Sequence, residues 1–359
     1  MQVFLSDPEE EHAMIDLKSD LMSLPTEEMW EAMRKVKPGG WVIDREDPDV
    51  RSLEKMGAEM MGKEDALFVL TGRMACLVAL MTHCERGHQI ILEKDSHILW
   101  SQEWGIAFIC GLYPRLVGGH RGVMDPKDVE AAVSEYRFNH LPTTDLVCIE
   151  NTHNMAGGTV VSPKQTEELC EVAHRHGAEV FIDGARIFHA AIALGVKPKD
   201  LVAPADSVMF SLIKGLSAPG GVLLCGKSEF IKKAHSNLGK IGANAFHRAG
   251  ILAAAGRVAL ERMVEQLRDH QRRAKLFAQA LTQIKGVGVD LESVQTNIVM
   301  ADISASGLSS DEFLSRLLKK GVRGHRFTPT TIRFTFHRLI ADEDVRTAAG
   351  AVQTVMEKN

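Results

Sequence analysis

Short, almost wholly apolar runs recur along the middle of the chain. They are ALFVL at 66–70, QIILE at 89–93, FICGLY at 108–113, LVCIE at 146–150, EVFID at 179–183, SVMFSL at 207–212 and GGVLLCG at 220–226. Runs of this length without a polar face predict strands buried on both sides. Between them the apolar residues adopt helical spacing, near 97–108, 126–136, 163–176 and 187–194. Strands alternating with helices imply a mostly parallel, seven-stranded α/β sheet lying between helices. In such a sheet functional side chains gather beyond the carboxyl ends of the strands. His97, Asn151, His153, Asp183, Arg186 and Lys214 all fall just past strand ends. That shared position predicts a single site.

Flanking segments complete the plan. Pro25-Thr26-Glu27-Glu28 opens a helix through Arg34, because a first turn tolerates proline and favours acids. Pro38-Gly39-Gly40 breaks the chain, Trp41 to Asp47 reads as a loop, and Pro48 starts another helix, DVRSLEKMGAEMMG. ALFVL then leads through Thr71-Gly72-Arg73 into an apolar helix ending near His83, which reads as its C-terminal cap. A long helix from Arg248 to Gln283 leaves the first domain for a small α/β unit: VGVD, TNIVMAD, SDEFLSRLLKKG, RGHRF, TIRFTFHR and a last helix from Asp342 to Met356. The expected division is a large domain, 14–250, and a small C-terminal one, 251–359.

Composition narrows the function. Of 359 residues 25% are charged and 45% hydrophobic, with a net charge of -5 and no basic run interleaved with aromatics, which argues against a nucleic-acid partner. No apolar run reaches bilayer-spanning length, so no membrane partner is expected. Six scattered cysteines without C-x-x-C spacing read as reduced core residues, not as disulfides or a metal site. The opening MQVFLSDPEEEH is acidic and shows no secretory leader, so a cytoplasmic protein is expected.

The stretch from Val180 to Gly221 carries the chemistry. One buried strand ends in Asp183, followed by Gly-Ala-Arg, and the next delivers Lys214 onto a glycine turn. Lysine is rarely buried, and the adjoining glycine lets a backbone or ligand come close. Pyridoxal phosphate (PLP) wants this pair: a lysine to condense with its aldehyde and a carboxylate to keep its pyridine nitrogen protonated. Thr71-Gly72-Arg73, a strand–turn–helix junction, adds an anion site of free N–H groups. The other doubly wound option, a nicotinamide enzyme, needs a G-x-G-x-x-G that Thr71 to Cys76 does not supply. A non-catalytic binding protein of this fold is disfavoured by the retention of Asp183, Arg186 and Lys214.

Taken together, SDLMSLPTEEMWEAM, EDPDVRSLE, ENTHN, FIDGARIFHAA, KGLSAPGG, RAGILAAAG and RFTFH resemble the threonine aldolase (β-eliminating lyase) family of fold-type-I PLP enzymes over nearly the whole chain. The resemblance implies a lyase cleaving the Cα–Cβ bond of a β-hydroxy-α-amino acid into glycine and an aldehyde. It also implies a homodimer or homotetramer with active sites at the interface. The alternative is another PLP reaction on an amino acid, such as β-elimination or transamination. By motif, Lys214 is the lysine that binds PLP, Asp183 the partner of its ring nitrogen, and Arg186 the arginine near the phenolic oxygen and substrate carboxylate. His97 resembles the histidine stacked on the ring and His153 the one beside the substrate's β-hydroxyl. Ser19 and Arg333 resemble the pair that holds the substrate carboxylate.

The departures cluster at the phosphate cup and substrate rim. Arg73 stands where the family has threonine after Gly72, and Phe246-His247-Arg248 stands for Met-Arg-Gln. His247 thus occupies the place of an arginine that reaches a neighbouring subunit's phosphate. Asp44 replaces a tyrosine that leans over the substrate, Leu21 a hydroxyl residue, and Ile213 the serine before the lysine. Arg73 is therefore expected to supply the missing positive charge, and Asp44 to face the substrate side chain.

Overall fold

The computed structural model describes residues 14–37, 39–134 and 142–357. Two compact units emerge, Ser23–Arg268 and a second one joining the N-terminal stretch up to Met22 to the chain from Asp269 onward.

The larger unit is built on a seven-stranded sheet: β1 Asp65–Val69, β2 Gln89–Glu93, β3 Tyr113–Val117, β4 Thr144–Glu150, β5 Glu179–Asp183, β6 Ser207–Ser211 and β7 Val222–Gly226. Its spatial order is β1-β7-β6-β5-β4-β2-β3. All neighbours are parallel except β7, which runs antiparallel to both β1 and β6. Strands β2, β6 and β7 are buried at every residue. That is the cause of their unbroken apolar runs, since helices cover both faces. One face packs through Ile91, Val147, Ile182 and Phe210, the other through Ile90, Leu146, Phe181 and Met209.

The third strand lies later than its apolar run indicated. FICGLY is split between a π-helical turn, Gly105–Cys110, and β3, which is YPRLV. Pro114 has no N–H to donate, and β3 escapes that penalty because it is an edge strand. The long helix expected from Arg248 is interrupted too. Ala249–Val258 passes through a π-turn, Ala259–Met263, before Leu267–Leu281. Ala249–Val258 packs against the helices Glu27–Arg34 and Pro48–Met61, so this part of the 251–359 segment belongs with the large unit.

In the smaller unit Ile15–Asp16 pairs in parallel with Val322–Arg323, which ties the N-terminal stretch to the C-terminal unit. Strands β8 Ile298–Asp302, β9 His325–Arg326 and β10 Thr331–Thr335 form an antiparallel sheet. Phe277, Phe334 and Phe336 meet edge-on or tilted at its centre. No helix among the described residues is long and apolar enough to cross a membrane.

Candidate active site

Three neighbouring strands of the large sheet each end in a buried acid: Glu93 on β2, Glu150 on β4 and Asp183 on β5. Glu150 and Asp183 are direct partners across the β4–β5 ladder. Such a row of carboxylates is costly unless each finds donors or cations, and the loops beyond the strands supply them.

Asp183 is 1% exposed. Its Oδ1 accepts the Ala185 N–H at 3.2 Å, inside the Gly-Ala-Arg turn. Oδ2 has the Cys76 thiol at 3.8 Å and His97 Nδ1 at 4.0 Å, a weak donor and a distant one. Lys214 follows β6 on a tight turn whose start is fixed by its own N–H donating to Ser211 Oγ at 3.3 Å. Gly215 has φ +68, and a Cβ there would lie 3.0 Å from His189 Nε2, so glycine is favoured on both counts. Ser217 ends the turn with φ +63, its hydroxyl bonded to that of Ser23 at 2.9 Å.

His97 opens the helix after β2 with its ring partly exposed. Burial pushes its pKa down to about 4; Asp183 opposes this, while Lys214, Arg186 and Arg73 push the same way. Those three cations therefore surround one imidazole, which is neutral at pH 7. Arg186 is buried, and its Nη1 donates to Asn154 Oδ1 at 3.4 Å. Arg73 is exposed in the first turn of the helix Gly72–His83, which Thr71 caps by accepting the Met74 N–H.

His153 is enclosed by the protein. It is 1% exposed, with Nε2 3.1 Å from Glu93 and Nδ1 accepting the Ala156 N–H at 3.2 Å. Both ring nitrogens face protein groups. Burial lowers its proton affinity, but Glu150 and Glu93 more than reverse that and raise its pKa. In the neutral ring Nδ1 accepts the Ala156 N–H, so Nε2 carries the hydrogen and faces Glu93.

The remaining predicted residues fall elsewhere. Asp44 ends the turn Val42–Asp44, exposed, and its charge acts on His235. The His247 ring rests on Trp41 at 4.9 Å, beside a cavity of about 690 Å³ that Lys37 and Arg248 also line. Neither residue is among the charges that act most strongly on His97. Ser19 and Arg333 belong to the smaller unit. Ser19 Oγ accepts the Leu21 N–H, and Arg333 lies in β10 opposite Met300 and His325. His83 does not cap its helix; its ring bonds Glu179 and, at 2.6 Å, Ser207 Oγ, and Cys84 takes the cap.

Sequence reasoning missed Glu150, Glu93 and Cys76. Two of these acids close apolar runs, as Asp183 does, and that shared ending was the available signal. Cys76 had none, because a cysteine in an apolar helix reads as core.

Residues 16–306 match the model of the β-eliminating lyase family. The chain is 38% identical to low-specificity L-threonine aldolase 1 of Arabidopsis thaliana over 95% of its length and 96% of that relative. It is 34% identical to the low specificity L-threonine aldolase of Escherichia coli K12, over 81% and 85%. Among solved structures, threonine aldolase of Leishmania major superposes with a TM-score of 0.81 at 17% identity, covering 95% of this chain and 99% of that one.

Proposed function

The chain belongs to the β-eliminating lyase family, and from that premise we propose that it is a PLP-dependent carbon–carbon lyase, cleaving the Cα–Cβ bond of a β-hydroxy-α-amino acid to glycine and an aldehyde. The observation that carries this reading is Asp183, a buried strand-end carboxylate one of whose oxygens meets a thiol at 3.8 Å and an imidazole at 4.0 Å, beside the lysine turn. A protonated pyridine nitrogen would give that oxygen a charged donor. When bound, PLP supplies an electron sink for the pair released at Cα.

The chain's own groups do the rest. Lys214 is the anchor of the cofactor aldehyde, and Asp183 holds the ring nitrogen's proton by hydrogen bond and charge. Arg186, kept extended by Asn154, is placed to pair with an anionic oxygen. His97, neutral and partly exposed, offers a flat ring and an unprotonated nitrogen. Gly72 and the free N–H groups of its helix start, with Arg73, are the proposed phosphate cup. Ser19 and Arg333 stand as substrate-carboxylate holders by residue type and pattern, and Asp44 and His247 as rim and cup residues contributed to a neighbouring subunit. A homodimer or homotetramer accords with the exposed Trp30, Trp41, Trp100 and Phe246, apolar surface of the kind that assembly covers.

The test is a visible spectrum of the purified protein titrated with glycine, L-threonine and L-allo-threonine, with assays for aldehyde plus glycine against ammonia plus keto acid. Aldehyde and glycine are expected in equal amounts. Ammonia and keto acid as the sole products would replace the aldolase reading with elimination or transamination. Lys214→Ala should remove both the visible band of bound PLP and turnover. Normal steady-state activity in that variant would end the assignment of Lys214.

A further inference from the structure

Behind the side chains that face the site lies a layer of three, Glu150, Glu93 and His153, all nearly inaccessible. We infer that Glu150 is the positioning residue of this active site, and that His153 and Glu93 form the strut that holds it, so that His153 is not the base for a substrate hydroxyl. The inference rests on the lyase reading above and deepens it.

Glu150 spends its two oxygens on two backbone N–H groups of different loops. Oε2 accepts that of His97 at 2.5 Å, and Oε1 that of Asn154 at 2.8 Å. His97 carries the ring 4.0 Å from Asp183, and Asn154 carries the amide that takes the Arg186 guanidinium. One side chain at the end of β4 therefore fixes the origin of two active-site side chains and, through the second, a third. Bonds from N–H groups to a carboxylate are stronger and shorter than neutral ones, which suits a clamp.

The clamp itself has to be held. Glu150 lies 3.8 Å from His153 Nε2, and the same nitrogen is 3.1 Å from Glu93. Glu93 also accepts the Asp95 N–H at 2.6 Å, which fastens the loop leading to His97. On the far side of the ring the Ala156 N–H closes Nδ1. Gly122, with φ +78, passes so close that a Cβ there would run into the ring. A general base must come within hydrogen-bond reach of the proton it removes. This imidazole has no nitrogen and almost no surface to give, while everything it touches leads to Glu150 or to the loops Glu150 holds.

The two roles separate on a pair of reactions run by the PLP-loaded enzyme: cleavage of L-threonine, and exchange of the glycine Cα proton for solvent deuterium. Glycine has no hydroxyl, so its exchange needs no hydroxyl base but does need correct positioning. Glu150→Gln should slow both reactions by similar factors, on the order of a hundredfold for displaced groups. It should also change the visible circular dichroism of the bound cofactor, which reports its setting and not turnover. His153→Gln restores an N–H near the Nε2 position without a titrating ring and should lose less than about tenfold in either reaction. His153→Leu should lose both reactions together and lower Tm by roughly 10 °C, the scale of a broken buried ionic contact. If Glu150→Gln does not fold, Glu150→Asp keeps the charge and loses the reach, and the same joint loss is expected. The proposal is overturned if His153→Gln abolishes cleavage while glycine exchange and dichroism stay at wild-type levels. Unchanged rates and dichroism in both Glu150 variants overturn it equally. A wild-type enzyme that exchanged glycine but cleaved no hydroxy amino acid would defeat the lyase reading, and the exchange and dichroism arms would still decide the positioning.

Discussion

A cofactor phosphate needs positive charge or many donors, and the residues around Gly72 show where both can come from. The helix Gly72–His83 begins with free N–H groups, and Arg73 stands in its first turn with an exposed guanidinium whose charge is felt at His97. A guanidinium there can bond two phosphate oxygens at once. Arg73→Ala should therefore weaken PLP binding by about 1.5–3 kcal/mol, the worth of a hydrogen bond to a charged group. Equilibrium dialysis of PLP against the variant checks this; a dissociation constant equal to that of wild type, with the fold intact, would move the phosphate charge elsewhere. At this scale the chain was half legible. The placing of Asp183, Arg186 and Lys214 near one another was legible because each lies at or just past a strand end whose apolar run is unmistakable. The surroundings of His153 were not legible, for a physical reason. Strand-end position places a residue near the site, but the turn of the ring towards Glu93 depends on Gly122 and Ala156, which no local pattern connects to it.

Among elements, legibility followed burial. Strands covered on both faces announce themselves as apolar runs, and β2, β4, β5, β6 and β7 lie where those runs are. The edge strand β3 is half wet and carries a proline, so its signal was weaker than that of the apolar turn before it. The hairpin Gly119–His120 with Val123–Met124 was not legible at all, yet it bears on the site, because Arg121 and Gly122 take positive φ to carry the chain past His153. That yields a sharp expectation. Gly122→Ala would force a β-carbon both into a left-handed backbone and into the imidazole. It should cost more than about 1 kcal/mol, the threshold for alanine at an incompatible φ. Urea unfolding measures this, and a variant as stable as wild type would show that the hairpin can move off the ring.

For the whole molecule, the pH response is set by histidines held without charge in both units. His97 lies in one, and His270, which is 1% exposed, in the other. Burial pushes His270 down to about 4, with His337 and Arg273 acting in the same direction and Asp20 and Asp269 against it. The sign follows from which state binds the proton. Below about pH 6.5 an unfolded histidine is protonated, whereas the folded His270 is not until near pH 4, so the unfolded chain holds more protons and stability rises with pH. Acidification from about pH 6.5 therefore destabilises the protein, by up to about 1.4 kcal/mol per pH unit for one such histidine. Asp65, Glu93 and Glu179 are held below the usual carboxylate range and add to the loss only at lower pH. Glu150, raised, acts in the opposite direction above about pH 4.5, whereas the raised His153 changes its contribution only above about pH 6.5. Between about pH 6.5 and 5 the depressed histidines thus supply the acid sensitivity against that opposition. His270→Gln removes one of them and should flatten the fall in unfolding free energy across this window while leaving the active-site groups in place. Urea titrations of the apoprotein at about pH 6.5, 5.7 and 5, for wild type and variant, give the two slopes. Equal slopes would mean that His270 reaches solvent and protonates in the folded chain as readily as in the unfolded one.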